Sequence, residues 1–213
     1  MALSEHAEII NVVAKKILKP CGLISKGQSR VWYDDHGWYT AQIEFQPFSG
    51  RVGTCINVGV AFHWYYKDHI GFSMGYRESD FVYYENEKQF TPEVGKLTLL
   101  ALKKILYYRK ALENISSAKE TILKHKFTSD SLWGNYHRGV ICGLDHDIEN
   151  AIKFFDMVLE IDHRVPWADE LKSRIHLFKI LLPDSSQFRE QVIKTIIETR
   201  AANKLDTLEI SLE

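Results

Sequence analysis

Few residues in this chain make a function class easy to recognise. Only 3 cysteines occur among 213 residues, Cys21, Cys55 and Cys142, and no two form a CxxC or CxxxC pair. An odd, scattered set in apolar surroundings argues against a disulfide framework or a cysteine-rich zinc site and reads as buried reduced thiols. Charge of one sign is lacking as well. Lys plus Arg is 27 and Asp plus Glu is 28, for a formal net charge of -1, and the balance holds on either side of Pro92. A basic nucleic-acid module would carry a positive excess. Long hydrophobic runs are missing too. The longest uncharged stretch, Val52 to Tyr66, falls short of the roughly 20 residues a spanning helix needs and contains Asn57 and His63. The first residues show no charged-then-apolar leader pattern, so a cytoplasmic protein without a membrane segment is expected.

Chemical motifs are equally sparse. The 9 histidines show no HExxH, HxH or HxxxH spacing, and the chain has no GxSxG elbow, GxxxxGK[ST] loop or GxGxxG turn. The expectation is no metal and no cofactor.

What the chain does have is enough apolar residue, 45%, to bury a core. Its composition changes near Pro92. Aromatics, glycines and β-branched residues dominate before it, and Leu, Ile, Lys, Glu and Ala after it. Strands followed by helices predict an α+β fold. The expected architecture is an N-terminal antiparallel sheet of four or five strands with flanking helices, then a C-terminal helical bundle. The expected division is 1–92 and 93–213.

Helical spacing of Ala7, Ile10, Val13, Ala14, Ile17 and Leu18 predicts an amphipathic helix over 4–18, ended by Lys19-Pro20-Cys21-Gly22. Residues 29–35 read as a strand and Asp35-His36-Gly37 as a hairpin turn. Period-two alternation then marks strands over 38–46, with Tyr39, Ala41, Ile43 and Phe45 on one face, and over 54–64. Residues 70–76 and 81–84 add shorter strands. Thr91-Pro92-Glu93 reads as a helix start, and five further helices are expected near 116–125, 131–142, 147–161, 167–182 and 185–204. The tail from Asp206 is expected to be loose.

The segment 131–161 is similar to one tetratricopeptide hairpin. Gly139 and Ala151 are twelve apart, and Phe155 follows four later, as small and aromatic positions do in that repeat. Asn135, Arg138, Cys142 and His163 depart from the pattern, and Ser173, Ser185 and Arg189 one period on show no second copy. A single hairpin inside a bundle is therefore expected, with a structural role, rather than a peptide-binding array.

The polar sheet face carries the candidate site. Gln42, Glu44 and Gln46 share a face of one strand, and Asn57 and His63 are assigned to a face of the next, with Trp38 and Arg77 at the border. A solvated outer face explains them simply. A binding face, with Trp and Arg as anchors, is the functional reading. Glu44, His63 and Arg77 are the candidates for acid–base catalysis there. The aromatic density around Trp32, Tyr33, Trp64 and Tyr65 fits core packing better than a stacking platform for single-stranded nucleic acid.

The run Ile17-Leu18-Lys19-Pro20-Cys21-Gly22-Leu23, then Arg30-Val31-Trp32-Tyr33, Gly37-Trp38, Phe45-Gln46, Cys55-Ile56-Asn57-Val58-Gly59-Val60 and Phe72-Ser73-Met74-Gly75-Tyr76-Arg77, resembles a bacterial family catalogued as domain of unknown function 4304. The resemblance covers about residues 5–125, with Leu23 where Phe is common. It implies an α+β bacterial cytosolic protein and carries no catalytic residues over. By analogy, such proteins serve as immunity proteins or defence-system components. The leading expectation is a non-catalytic protein-binding module with an unidentified protein partner. An enzyme of unrecognised type on the polar sheet face and a nucleic-acid-binding accessory stay open beside it. The sequence fixes no oligomeric state.

Overall fold

The computed structural model describes residues 4–25, 29–127, 131–162 and 165–212. The fold is α+β, with an N-terminal antiparallel sheet followed by helices. The chain divides into two compact units, and the division differs from a single cut at Pro92. One unit is Met1–Phe62 with Gly71–Lys110, and the other is His63–Ile70 with Ala111–Glu213.

The first unit runs α1 (Glu5–Leu18), a short 3-10 turn (Lys19–Cys21), β1 (Ile24–Ser25), β2 (Val31–Asp35), β3 (Tyr39–Phe48), β4 (Arg51–Phe62), β5 (Met74–Arg77), β6 (Val82–Tyr83) and α2 (Glu87–Ala111). The order β1-β2-β3-β4-β5 is antiparallel throughout, and β6 pairs with the start of β4. Pairing of Ala41 with Val60, Ile43 with Val58 and Phe45 with Ile56 stacks the predicted apolar rows, all of them buried. One face of the sheet is thereby core, as the alternation requires. Gly75 (φ +152°) lies opposite Gly59, and a Cβ on Gly75 would stand 2.4 Å from the Gly59 Cα. Two glycines there let β4 and β5 run close where side chains would not fit.

Helix α2 starts earlier than Thr91. The Asn86 side chain accepts from the Gln89 N–H at 3.0 Å and the Asn86 carbonyl from the Phe90 N–H at 3.0 Å, so Asn86 caps the helix and Pro92 lies inside it. At the other end, Arg109 grips Asp34 of β2 through Nε and Nη2, both at 2.8 Å, and donates to the Cys21 carbonyl at 2.8 Å. That one side chain ties α2 to β2 and to the turn after α1. Strand β4 begins at Arg51, three residues before the predicted start, because the register slips between Gln46 and Phe48 and re-pairs Phe48 with Arg51. Pro47 sits at the slip, where its missing N–H costs no ladder bond.

The second unit holds α3 (Ile115–Lys124), α4 (Ser131–Leu144), α5 (Ile148–Leu159), α6 (Pro166–Leu181) and α7 (Ser185–Ala202). Helices α4 and α5 form an antiparallel hairpin, and a Cβ on Gly139 would lie 2.5 Å from the Phe155 ring. The absent side chain at 139 is what admits the buried Phe155, and Ala151 is buried beside it. Lys119 of α3 bridges Asp145 at 2.9 Å and Asp147 at 2.8 Å in the α4–α5 turn.

Residues 63–70, read from sequence as the end of one strand and the start of the next, belong to this helical unit. Trp64 is fully buried; its Nε1 donates to His137 Nδ1 at 3.0 Å, and Tyr136 Oη donates to the Trp64 carbonyl at 2.9 Å. Thr199 donates to the Tyr65 carbonyl at 3.3 Å and Asn203 to the Lys67 carbonyl at 2.7 Å. The tail after Asp206 has no regular structure and is mostly exposed, but Leu212 is buried and Arg200 donates to the Asp206 carbonyl, so it is anchored at those two points. No helix is long and apolar enough to cross a membrane among the described residues.

Candidate functional site

The second face of the sheet is built from the residues that alternate with the core. Register places Val31, Glu44, Asn57 and Arg77 in one row across β2, β3, β4 and β5, with Gln46 and Cys55 paired in the next row. Period-two geometry alone brings these side chains to one side.

The row is hydrogen-bonded along its length. Asn57 Nδ2 donates to Glu44 Oε2 at 2.9 Å and to Gln46 Oε1 at 2.9 Å, and Arg77 Nη2 donates to the same Gln46 oxygen at 3.0 Å. Gln46 is thus a double acceptor, and Asn57 links carboxylate to amide. Burial raises the Tyr33 phenol, and the Glu44 charge adds to the rise. Burial also raises the Cys55 thiol, with Arg77 opposing and Glu44 assisting, so Cys55 is a neutral thiol.

Arg77 connects this row to an aromatic shelf. Its guanidinium lies over the Phe48 ring at 5.0 Å; Phe48 meets Phe81 edge-on at 5.2 Å, and Phe81 meets Tyr83 at 4.9 Å. Arg51 closes the shelf over the Tyr83 ring at 6.0 Å. The backbone makes this possible at Gly53 (φ +147°), where a Cβ would collide with the Val82 carbonyl and the Phe81 ring. Tyr83 and Val52 are each about half exposed, at 52% and 51%.

Four residues singled out from sequence are brought together: Glu44, Gln46, Asn57 and Arg77. Three are not. Gln42 shares the face, one residue pair further along, but is buried in the row Tyr33–Gln42–Gly59, and its Nε2 has no hydrogen-bond partner among the described residues. Trp38 precedes β3 and is buried, stacked 5.9 Å from Phe62, so it is a core side chain and no exposed anchor. His63 lies beyond the last residue of β4, is buried, and belongs to the helical unit. Alternation carried the strand two residues too far, and that error put His63 on the face. The catalytic trio of Glu44, His63 and Arg77 is therefore not assembled; Glu44 meets Asn57 instead.

Sequence reasoning missed Phe48, Arg51, Phe81 and Tyr83. Pro47-Phe48-Ser49-Gly50 was legible only as a turn. The strand over 81–84 is expected, but so short an element has too little alternation to assign Phe81 and Tyr83 to a face. The available clue was an aromatic or Arg at each end of the turn and of the short strand.

Two hollows in this unit lie away from the row. One of about 400 Å³ is lined by Asn11, Lys15, Lys19, Leu23, Ile24, Ser25 and Trp32. The other, about 350 Å³, is lined by Glu5, Glu8, Ile9, Val12, Val13, Glu87 and Thr91. Among the described residues no group of three or more His, Cys, Asp or Glu is placed to hold a metal ion. Comparisons with protein-family models, with curated proteins and with solved structures returned no match to this chain.

Proposed function

We infer that the chain is a non-catalytic protein-binding module that holds its partner on the sheet face between Glu44 and Tyr83. The observation that carries this reading is Arg77, which joins a prearranged amide and carboxylate row, through one hydrogen bond and one ring contact, to a half-buried aromatic shelf that ends in the exposed Tyr83. Arginine and aromatic side chains are the residue types enriched where partners bind. The row is already hydrogen-bonded in the free chain, so little side-chain ordering is left to oppose association. Glu44 Oε1 and the remaining Arg77 donors have no partner among the described residues, and they are free to specify one. Chemistry on this face would need a base or nucleophile beside Glu44, and its neighbours are amides, a guanidinium, a neutral buried thiol and the Tyr33 phenol, whose proton is held on by burial and by the Glu44 charge itself. The family resemblance supports a bacterial cytoplasmic setting, and immunity or defence is the process that setting suits.

The test is affinity capture from the native lysate with wild-type protein and with Arg77→Ala/Tyr83→Ala. Both side chains are exposed, so the variant keeps its fold, checked by circular dichroism. One stoichiometric protein retained by wild type and lost by the variant is the expected result. Equal capture by the folded variant removes this face from the function.

A further inference from the structure

We propose that α1 is a self-association surface on which two copies of this chain pair antiparallel. The exposed residues of α1 and its following turn include Glu5, Glu8, Val12, Lys15 and Lys19. Their spacing is three, four, three, four, the spacing that keeps side chains on one line of a helix facing another helix. The line is acidic in its first half, apolar at its centre and basic in its second half. Val12 at that centre is 62% exposed, while Ile10 and Ala14 on the opposite side of the helix are buried.

Turned end for end about Val12, the line is complementary to itself. Glu5 of one copy meets Lys19 of the other, Glu8 meets Lys15, and Val12 meets Val12. Each charge pair occurs twice, as an isologous contact demands. In parallel orientation like charges face each other, so the pattern also selects direction. The helix dipole alone accounts for acids at the start of a helix and bases at its end. It does not account for their alignment on one exposed line, nor for an apolar residue in the middle of it.

Three of these four charges have no counter-charge among the described residues, and Glu5 shares a hydrogen bond with the Tyr84 hydroxyl. Among the described residues Glu8, Lys15 and Lys19 have no ion-pair partner, whereas Lys96, Lys104 and Lys124 each have one and Lys119 has two. The two hollows described above flank this line, the smaller beside its acidic half and the larger beside its basic half. They give the partner copy's side chains space to enter.

The helix has 14 residues, about 21 Å of contact line. One such line buries less than the roughly 800 Å² per partner of a standard interface, so the dimer belongs to the weak, concentration-dependent class. Its stability falls with added salt, because the pairs are exposed.

The experiment is analytical ultracentrifugation of the untagged full chain from micromolar to millimolar concentration at low salt. Wild type is expected to shift from monomer to dimer across that range. Glu8→Lys alone and Lys15→Glu alone each set like charges opposite one another and weaken the dimer by about tenfold or more. An equimolar mixture of the two variants restores it, because the new lysine of one copy faces the new glutamate of the other. The double exchange in one chain, E8K/K15E, restores the homodimer as well. Circular dichroism checks that each variant folds; rescue by mixing also excludes misfolding as the cause of loss. A wild-type chain that stays monomeric to millimolar concentration overturns the proposal. So does a dimer indifferent to the single reversals, or one that the mixture does not restore.

Discussion

In the sheet unit the buried carboxylate of Asp34 remains charged and is clamped by Arg109 and His36. In the helical unit the buried imidazole of His137 remains neutral and accepts a hydrogen bond from Trp64. Burial opposes the Asp34 charge, but hydrogen bonds from His36 and Arg109 outweigh it and hold the carboxyl below its usual range. Burial drives the His137 proton off, assisted by Lys67 and His125, and lowers its pKa to about 3. The difference follows from what each unit can offer. The sheet unit has an arginine on α2 with its stem packed and its head in reach, 29% exposed. The helical unit meets the ring with the Trp64 indole N–H, which needs a lone pair and so a neutral ring. One unit answers a buried polar group with a counter-charge, the other with a proton removed.

The largest effect that would break this contrast is at Asp34. Asp34→Ala leaves Arg109 without its carboxylate and is expected to cost about 3–5 kcal/mol, read from urea unfolding. Asp34→Ala with Arg109→Met recovers part of that loss, because an apolar pair carries no stranded charge. A cost under about 1 kcal/mol for the single variant would put this pair with ordinary surface ion pairs.

Acid separates the units next. The unfolded His137 takes a proton below its ordinary value of 6.5, while the folded ring stays neutral to about 3. Stability therefore falls as pH drops below 6.5, approaching about 1.4 kcal/mol per pH unit, or roughly 2–3 kcal/mol by pH 4.5. Asp34 behaves otherwise. Its folded pKa is lowered, so its contribution is complete above the ordinary value of 3.8 and is lost only as pH falls through the lower folded value. Hydrogen exchange between pH 6.5 and 4.5 should thus loosen α4 while β2 and β3 hold. Replacing His137 by Gln, which cannot titrate, should flatten the α4 response. Parallel loosening of β3 would contradict the assignment.

The same contrast shows where the sequence was readable. Alternation at Ala41, Ile43 and Phe45 specified both faces of β3, and the register pairs them as expected. That was enough to bring Glu44, Gln46, Asn57 and Arg77 together, since a strand has only two faces. The Gly139–Ala151–Phe155 spacing likewise anticipated the close approach in the α4–α5 hairpin. What stayed hidden depends on partners far along the chain. His63 and Trp64 continue the alternation and look like strand, but Tyr136 and His137 capture the polar groups of Trp64, and Thr199 and Asn203 those of the residues after it. Pro92 looked like a helix start because Pro is favoured there, yet Asn86 and Gln89 had already closed the cap. Local preference lost each time to a tertiary or neighbouring hydrogen bond.

Glycine sharpens the comparison with the smallest effects. In α4 a Cβ on Gly134, Gly139 or Gly143 would press into Phe127, Phe155 or Phe188 at 2.5–2.9 Å. Gly139→Ala gains roughly 1 kcal/mol of helix propensity but overpacks Phe155 by about 1–3 kcal/mol, so a modest net loss is expected. Gly95 of α2 differs, since a Cβ there meets nothing within 4 Å. Gly95→Ala adds no contact and removes backbone freedom from the unfolded chain, so it should stabilise by about 0.5–1 kcal/mol. Thermal unfolding of both variants measures the pair of signs. A loss at Gly95 would take α2 out of this contrast and set it beside β4 and β5, where Gly53, Gly59 and Gly75 are needed because a Cβ would collide.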